Sequence, residues 1–318
     1  MRRVILSVLR SAGIHPVLVD IGASGAPPDV WRDIAPQSIY IGFDPDAREM
    51  QSGNVQGFQR STIIPHAVVT DARPEAGFYL TRSPFCSSTL PPDSASLDHY
   101  LFSPLFEVVS SVSVPATTIE NATTVAGVSS IDWLKLDTQG TDLRIYKSVP
   151  RPMRDDMVAL DVEPGLIDAY QGEDLFTTTH DSLTRDGWWL SRANVLGSIR
   201  MKRSSLEKTG LSAAAIEGSA RTSPGWIEAR YLREVERLRE PRSFILAWCF
   251  AMLDRQPAYA FECALEYGRR FGDDSATVMR NTALQMLQRN RLTKIVTSVR
   301  RRIPGRIQRG LARLLLRD

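Results

Sequence analysis

The feature that most constrains this chain is a set of short apolar runs, each of which closes on a carboxylate. VLVDIG (Val17–Gly22) carries Asp20, and SIYIGFDPD (Ser38–Asp46) reaches Asp44. IDWLKLD (Ile131–Asp137) ends at Asp137, and MVALDVE (Met157–Glu163) ends at Glu163. Runs that are apolar throughout, without alternation, suit parallel strands buried on both faces. Helix-like stretches separate them, so the pattern predicts an α/β domain with a mostly parallel, doubly wound sheet. STIIPHAVV (Ser61–Val69) predicts a further strand with Pro65 at an edge or a bulge, and GFYLT (Gly77–Thr81) a short additional one. Open sheets of this kind bind ligands beyond the carboxyl ends of their strands. Asp20, Asp44, Asp137 and Glu163 therefore fall on one expected edge.

A chain of 318 residues has room for such a core and a smaller appended unit. From about Ser223 the character changes. Segments near 224–240, 243–254, 257–271 and 274–289 carry helical periodicity, bounded by Pro224, Pro241, Pro257 and the Gly272-Asp273-Asp274 cluster. The reading divides the chain into a core over 1–215 and a helical extension over 216–318. The Ser- and Pro-rich stretch Ser83–Pro104 reads as a long loop, of the kind that is usually functional or mobile. MRRVILSVLRSAG reads as a short amphipathic helix leading into the first strand. No stretch approaches the roughly 20 continuous apolar residues that span a bilayer.

The turn VLVDIGASGAPPDV (Val17–Val30) has the spacing Asp-x-Gly-x-x-Gly, not the Gly-x-Gly-x-x-Gly of dinucleotide enzymes. Glycines there allow a ligand close to the backbone, but an acid ahead of them would repel a pyrophosphate. Asp44 lies at the end of the second run, where an acid can accept both ribose hydroxyls. After Asp137, Gly140 permits a tight turn and LRIYKSV opens a helix.

In this last segment, Lys135-Leu136-Asp137-Thr138-Gln139-Gly140-Thr141-Asp142, the sequence resembles the FkbM family of S-adenosylmethionine-dependent methyltransferases. The resemblance covers roughly residues 17–200, block by block. VDIGASG is similar to the family's first cofactor loop, and YIGFDPD to its second strand with the ribose acid. PHAVVTD and GFYLT resemble its third strand and hairpin, and SSTL (Ser87–Leu90) its serine-rich loop. VPATTIEN resembles the segment before its fourth strand, ALDVEPGLIDAYQGEDLF its fifth strand and loop, and LTRDGWWL its last block. The resemblance implies a Rossmann-like class I methyltransferase core. It puts Asp20, Gly22, Ala23 and Gly25 against the methionine part of the cofactor. Asp44 is then on the ribose, His66 and Ala67 near the adenine, and Asp137 beside the sulfonium. Two departures stand out. Gln139 and Asp142 replace a pair of glutamates, and the second glycine of the first loop falls at Gly25, one place early.

Methyl transfer is an in-line displacement at carbon, so the protein mainly aligns its reactants. A hydroxyl acceptor must also lose a proton, for which Asp137, Glu163 and His180 are the candidate bases, in that order. The expected activity is O-methylation of a sugar, a glycan or a secondary metabolite. Two alternatives are a degenerate methyltransferase fold serving as an interaction module, favoured by Gln139, and a nicotinamide-dependent oxidoreductase. Scattered acids offer oxygen ligands for Mg2+, but no spacing marks a metal site. Cys86, Cys249 and Cys263 are too far apart and odd in number for a disulfide framework, which fits a cytoplasmic setting.

Charge is unevenly distributed. Residues 289–318 hold ten Lys or Arg and one acid, whereas the rest of the chain is mildly acidic. On a helix, Ile303, Ile307, Leu311, Leu314 and Leu315 form one face, and Arg302, Arg306, Arg309, Arg313 and Arg317 a separate stripe. A basic amphipathic helix suits an anionic surface, so the expected partner is the inner face of a membrane, contacted peripherally. Nucleic acid is not expected, because no aromatic residues interleave with the arginines.

Overall fold

The protein is described by a computed structural model over residues 1–46, 48, 55–272 and 274–302. The chain opens with α1 (Arg2–Ser11), followed by β1 (Val17–Ile21), β2 (Ile39–Phe43), β3 (Arg60–Ile64), β4 (Ala67–Val68) and β5 (Glu75–Thr81). Next come α2 (Ser94–Leu97), β6 (Val108–Thr117), α3 (Ile119–Val125), β7 (Trp133–Leu136), α4 (Asp142–Ser148), α5 (Arg151–Asp156) and β8 (Ala159–Val162). Then follow α6 (Phe176–Arg185), β9 (Trp188–Ser198), α7 (Arg203–Thr209), α8 (Ala213–Glu217) and β10 (Ser223–Arg233). The chain continues through α9 (Pro241–Leu253), α10 (Pro257–Phe271) and α11 (Asp274–Arg302).

The main sheet has seven strands in the order β3-β2-β1-β7-β8-β10-β9. β1, β2, β3, β7 and β8 run parallel, as the unbroken apolar runs of β1, β2, β7 and β8 predict. β10 is antiparallel to both β8 and β9. Counting only the strands of this sheet, the order is 3-2-1-4-5-7-6, with the last strand inserted antiparallel beside the fifth. This is the Rossmann-like class I methyltransferase arrangement. The expected single run Ser61–Val69 is two strands: β3 closes the edge of the main sheet, Pro65 breaks the run, and β4 joins β6 and β5 in a separate three-stranded sheet.

Two apolar layers cover the two faces of the main sheet. Ile119, Ala122, Leu143, Ile145, Tyr146 and Leu183 from α3, α4 and α6 pack on one face. Ile5, Val8 and Leu9 of α1 and Phe244 to Leu253 of α9 pack on the other, against Leu18, Trp133 and Leu232. PRSFILAWCFAML in α9 is apolar all round, which marks a helix buried on every side. Phe244 through Met252 are nine consecutive buried residues between the sheet and α10 with α11. Each large side chain so buried contributes roughly 1.5–3 kcal/mol.

The division expected at 215/216 is therefore corrected. Beyond it lie β10, a strand of the main sheet, and α9, which closes that sheet's core. Residues 224–240, expected to be helical, form β10 and a single 3-10 turn. Gly225, Ile227, Ala229 and Tyr231 are buried and alternate with half-buried Trp226, Glu228 and Arg230. That period of two belongs to a strand. The helices expected near 243–254, 257–271 and 274–289 are present as α9, α10 and α11. The apolar face Ile303 to Leu315 lies outside the described residues, and with it most of the segment expected to contact a membrane. Among the described residues, no helix is long and apolar enough to cross a membrane.

Asp132, fully buried before β7, ties this architecture together at the edge away from the strand ends. It accepts from the Val17 amide (2.7 Å) and from both terminal nitrogens of Arg242 at the start of α9. Asp132→Ala leaves a buried N–H and a guanidinium without their acceptor, and we expect a loss of about 3 kcal/mol in urea unfolding. A loss below 1 kcal/mol would show that the sheet and α9 hold without this tie.

Candidate functional site

The strand order reverses between β1 and β7, and the loops after these two strands meet at that point. The Asp137 amide donates to the Ile21 carbonyl (2.9 Å), and the Gly22 amide to the Phe43 carbonyl (2.9 Å). Gly22 has φ +83°, and a Cβ there would stand 2.1 Å from the Asp137 carbonyl oxygen. Glycine is required at this position for both reasons. The result is a cleft lined by Gly22, Asp44, His66, Ala67 and Asp137. Five of the eight residues expected to hold a cofactor thus line one space. Ala23 and Gly25 belong to the same loop but do not line it.

Asp20 is placed differently. It sits one residue inside β1, 2% exposed, and does not line this cleft. Lys135 donates to it (3.0 Å), as does the Tyr40 hydroxyl (3.1 Å). Asp20, Lys135, Asp161 and Arg230 are paired in register across β1, β7, β8 and β10, one row of alternating charge. Arg230 binds Asp161 through two bonds of 2.8 Å and also Asp254 at the end of α9 (2.7 Å). Burial pulls the Lys135 pKa down, but the carboxylates of Asp20, Asp137 and Glu163 outweigh it and raise it. The ammonium is therefore held between these acids.

Asp44, just beyond β2, is buried and accepts from the Asp46 amide (2.8 Å). Burial, with the charges of Asp46, Asp137 and Asp20, pushes its carboxyl up to about 6. Asp46 is held by Arg48, which also donates to the Ser87 hydroxyl. His66 Nδ1 is buried and has no hydrogen-bond partner. A buried polar atom left unpaired costs about 1–3 kcal/mol, which a ligand's hydrogen bond recovers.

Asp137 also lines a second and larger cavity, together with Gln139, Glu163, Tyr170 and Trp226. The stretch Ser83–Pro104, expected as a loop, contains α2 and two 3-10 turns, and it walls both spaces. Phe85 stands at their junction, 59% exposed. Ser88 donates to the Gln139 carbonyl (2.7 Å), and the Tyr170 hydroxyl lies 2.8 Å from the Cys86 carbonyl.

Gln139, at φ +55°, donates through Nε2 to Asp137 Oδ1 (2.7 Å), and the Tyr170 hydroxyl reaches its Oε1 (2.9 Å). A glutamate here would set two carboxylates together, whereas the amide fixes Asp137 without adding charge. Asp142, fully buried, accepts from the Thr138 amide (3.0 Å) and the Glu163 amide (2.7 Å). It thereby binds the turn after β7 to the end of β8. Its position three residues after Gln139 was the only sequence signal for this role.

Glu163 lines the larger cavity. Burial first, then the neighbouring Asp137 charge, raise its carboxyl to about 9, so it holds its proton at neutral pH. His180, the third candidate base, is removed from the site. It lies on α6, stacked on Phe176, with Nδ1 3.0 Å from the Tyr231 hydroxyl, and lines none of these spaces. Among the described residues, no group of three or more His, Cys, Asp or Glu is arranged to hold a metal ion, so the suggestion of Mg2+ gains no support. Cys86, Cys249 and Cys263 are free thiols.

Two substitutions test these electrostatics. Glu163 passes from an ordinary 4.5 to about 9 on folding, so its proton's contribution to stability is complete below about 4.5 and is lost as pH rises toward 9. Glu163→Gln removes that loss. Its stability relative to wild type should climb from pH 5 to pH 9 in urea unfolding, and parallel curves would refute the assignment. Gln139→Glu sets a second carboxylate beside Asp137, and the pair should bind one extra proton near neutral pH in a carboxyl NMR titration. Unchanged titration would mean that the two side chains do not meet.

No protein-family model matches the sequence, and no curated protein does. Among solved structures, the chain overlays on a TehB-like SAM-dependent methyltransferase from Corynebacterium glutamicum, over 73% of this chain and 88% of that one. The identity is 11% and the TM-score 0.28, so the fold rests on the strand order itself.

Proposed function

We propose that the protein binds S-adenosylmethionine in the smaller cleft and transfers its methyl group to a hydroxyl of an acceptor held in the larger one. The observation that carries this reading is Asp137, which lines both spaces. Asp44 has the position to accept the two ribose hydroxyls, and the unpartnered His66 Nδ1 suits a nitrogen or amine of the adenine. Gly22 lets the ligand approach the backbone between them. The bound cofactor supplies an electrophilic methyl on a sulfonium, and the carboxylate of Asp137 favours that cation. Gln139 holds one oxygen of Asp137, and Lys135 stands 3.6 Å from the other.

Asp137 is the group that takes the acceptor's proton. Glu163 keeps its own at neutral pH and serves as a donor or a wall. The acceptor class of the O-methylation reading is a hydroxyl on a sugar, glycan or secondary metabolite. Aromatic faces and carboxylates in the larger cavity suit such molecules.

Calorimetric titration with S-adenosylmethionine, S-adenosylhomocysteine and NAD tests this reading. Both adenosyl ligands should saturate one site and NAD should not bind. Asp44→Ala should weaken binding about tenfold or more. Wild-type affinity should fall as pH drops below about 6, where the Asp44 carboxyl takes up its proton. Folded protein that ignores both adenosyl ligands would sink the methyltransferase reading.

A further inference from the structure

The larger cavity has an unusual charge inventory. Its acidic lining residues are Asp137, Glu163, Glu173 and Glu228, and none of the lining residues is basic. Four acidic side chains face one space with no basic side chain among its lining, and Glu163 gives up the proton it keeps at neutral pH most readily when a cation enters beside it. Glu173 Oε1 is buried and has no partner. The Glu173 carboxyl is pushed up to about 7, chiefly by burial.

The nearby cations are engaged elsewhere or turned to another space. Lys135 is shared between Asp20 and Asp137. Arg230 is held by Asp161 and Asp254, and Arg192 is exposed and lines the neighbouring cleft, not this one.

The walls are a second, independent feature. Phe85, Phe102, Phe106, Tyr170 and Trp226 line the same cavity. Phe102 and Trp226 are parallel to within 5°, and Phe106 meets both Phe102 and Tyr170. Aromatic faces present negative potential and attract a cation, most strongly where water is excluded. Carboxylates among aromatic rings are therefore suited to an organic ammonium group.

We propose that the acceptor is an amine-bearing hydroxylated compound, whose ammonium group sits among the aromatic rings beside Glu163, Glu173 and Glu228 while a hydroxyl faces Asp137. Anionic acceptors such as phosphorylated or carboxylated compounds are excluded by the same charges. This inference rests on the methyltransferase reading for the hydroxyl's fate, but the charge preference of the cavity is independent of it.

The test uses three phenols that differ at the end of a two-carbon side chain: tyramine (ammonium), tyrosol (neutral) and 4-hydroxyphenylacetate (anion). Dissociation constants are measured by NMR titration on the full chain, with and without S-adenosylhomocysteine. Tyramine should bind about tenfold more tightly than tyrosol, and the anion more weakly than either. Glu228→Gln should lower the tyramine preference severalfold and leave tyrosol unchanged. Tyrosol or the anion binding as tightly as tyramine overturns the proposal, as does tyramine failing to bind or a preference that Glu228→Gln does not alter. Failure of S-adenosylhomocysteine to bind, with the tyramine preference intact, counts against the methyltransferase reading alone.

Discussion

Four charges in one row across the sheet hold much of the molecule in place. Asp20, Lys135, Asp161 and Arg230 alternate in sign from β1 to β10, each beside its opposite. A lone charge sheltered this way would cost several kcal/mol, and satisfied neighbours offset that penalty. The row ends at Asp254, so it also fastens α9 to the sheet. At its other end, Lys135 reaches beyond the row to Asp137. The carboxylate that lines both cavities thus inherits its position from a structural network.

The two cavities lie side by side along the same edge. The smaller is bounded by the loop after β1, Asp44 and the β4 segment, and the larger by aromatic residues and acids from later parts of the chain. They touch at Asp137 and at Phe85. Gln139 and Tyr170 brace this junction through side-chain hydrogen bonds that join the turn after β7 to the segment after β8.

The sequence was most readable where one rule decided the outcome. Unbroken apolar runs ending in acids located β1, β2, β7 and β8, and Asp44 and Asp137, expected on one edge, do line one cleft. It was misread where two periodicities compete over a short stretch. SPGWIEARYLR in β10 has apolar residues close enough together to suggest a helix, and only its place beside β8 reveals the period of two. The expectation that Asp20 faces a cofactor could not include its partner, because a sequence does not say that a strand residue's side chain will meet Lys135 across 115 positions. His180 met Tyr231 in the same way, from 51 positions away. The larger cavity is assembled from stretches as distant as Phe85 and Trp226, which no local pattern connects.

The late position of β10 has a consequence for how the chain acquires its fold. When residues through β8 have left the ribosome, the backbone edge of β8 that β10 will cover is still open, and some 60 residues must follow before β10 arrives. α9, which seals one face of the sheet, comes later still. A nascent chain therefore carries a hydrophobic sheet with one bare edge and one bare face, which is the condition that recruits chaperones and invites aggregation. Contacts this distant in sequence also slow closure, because the entropy of a long loop is lost before the pairing is gained.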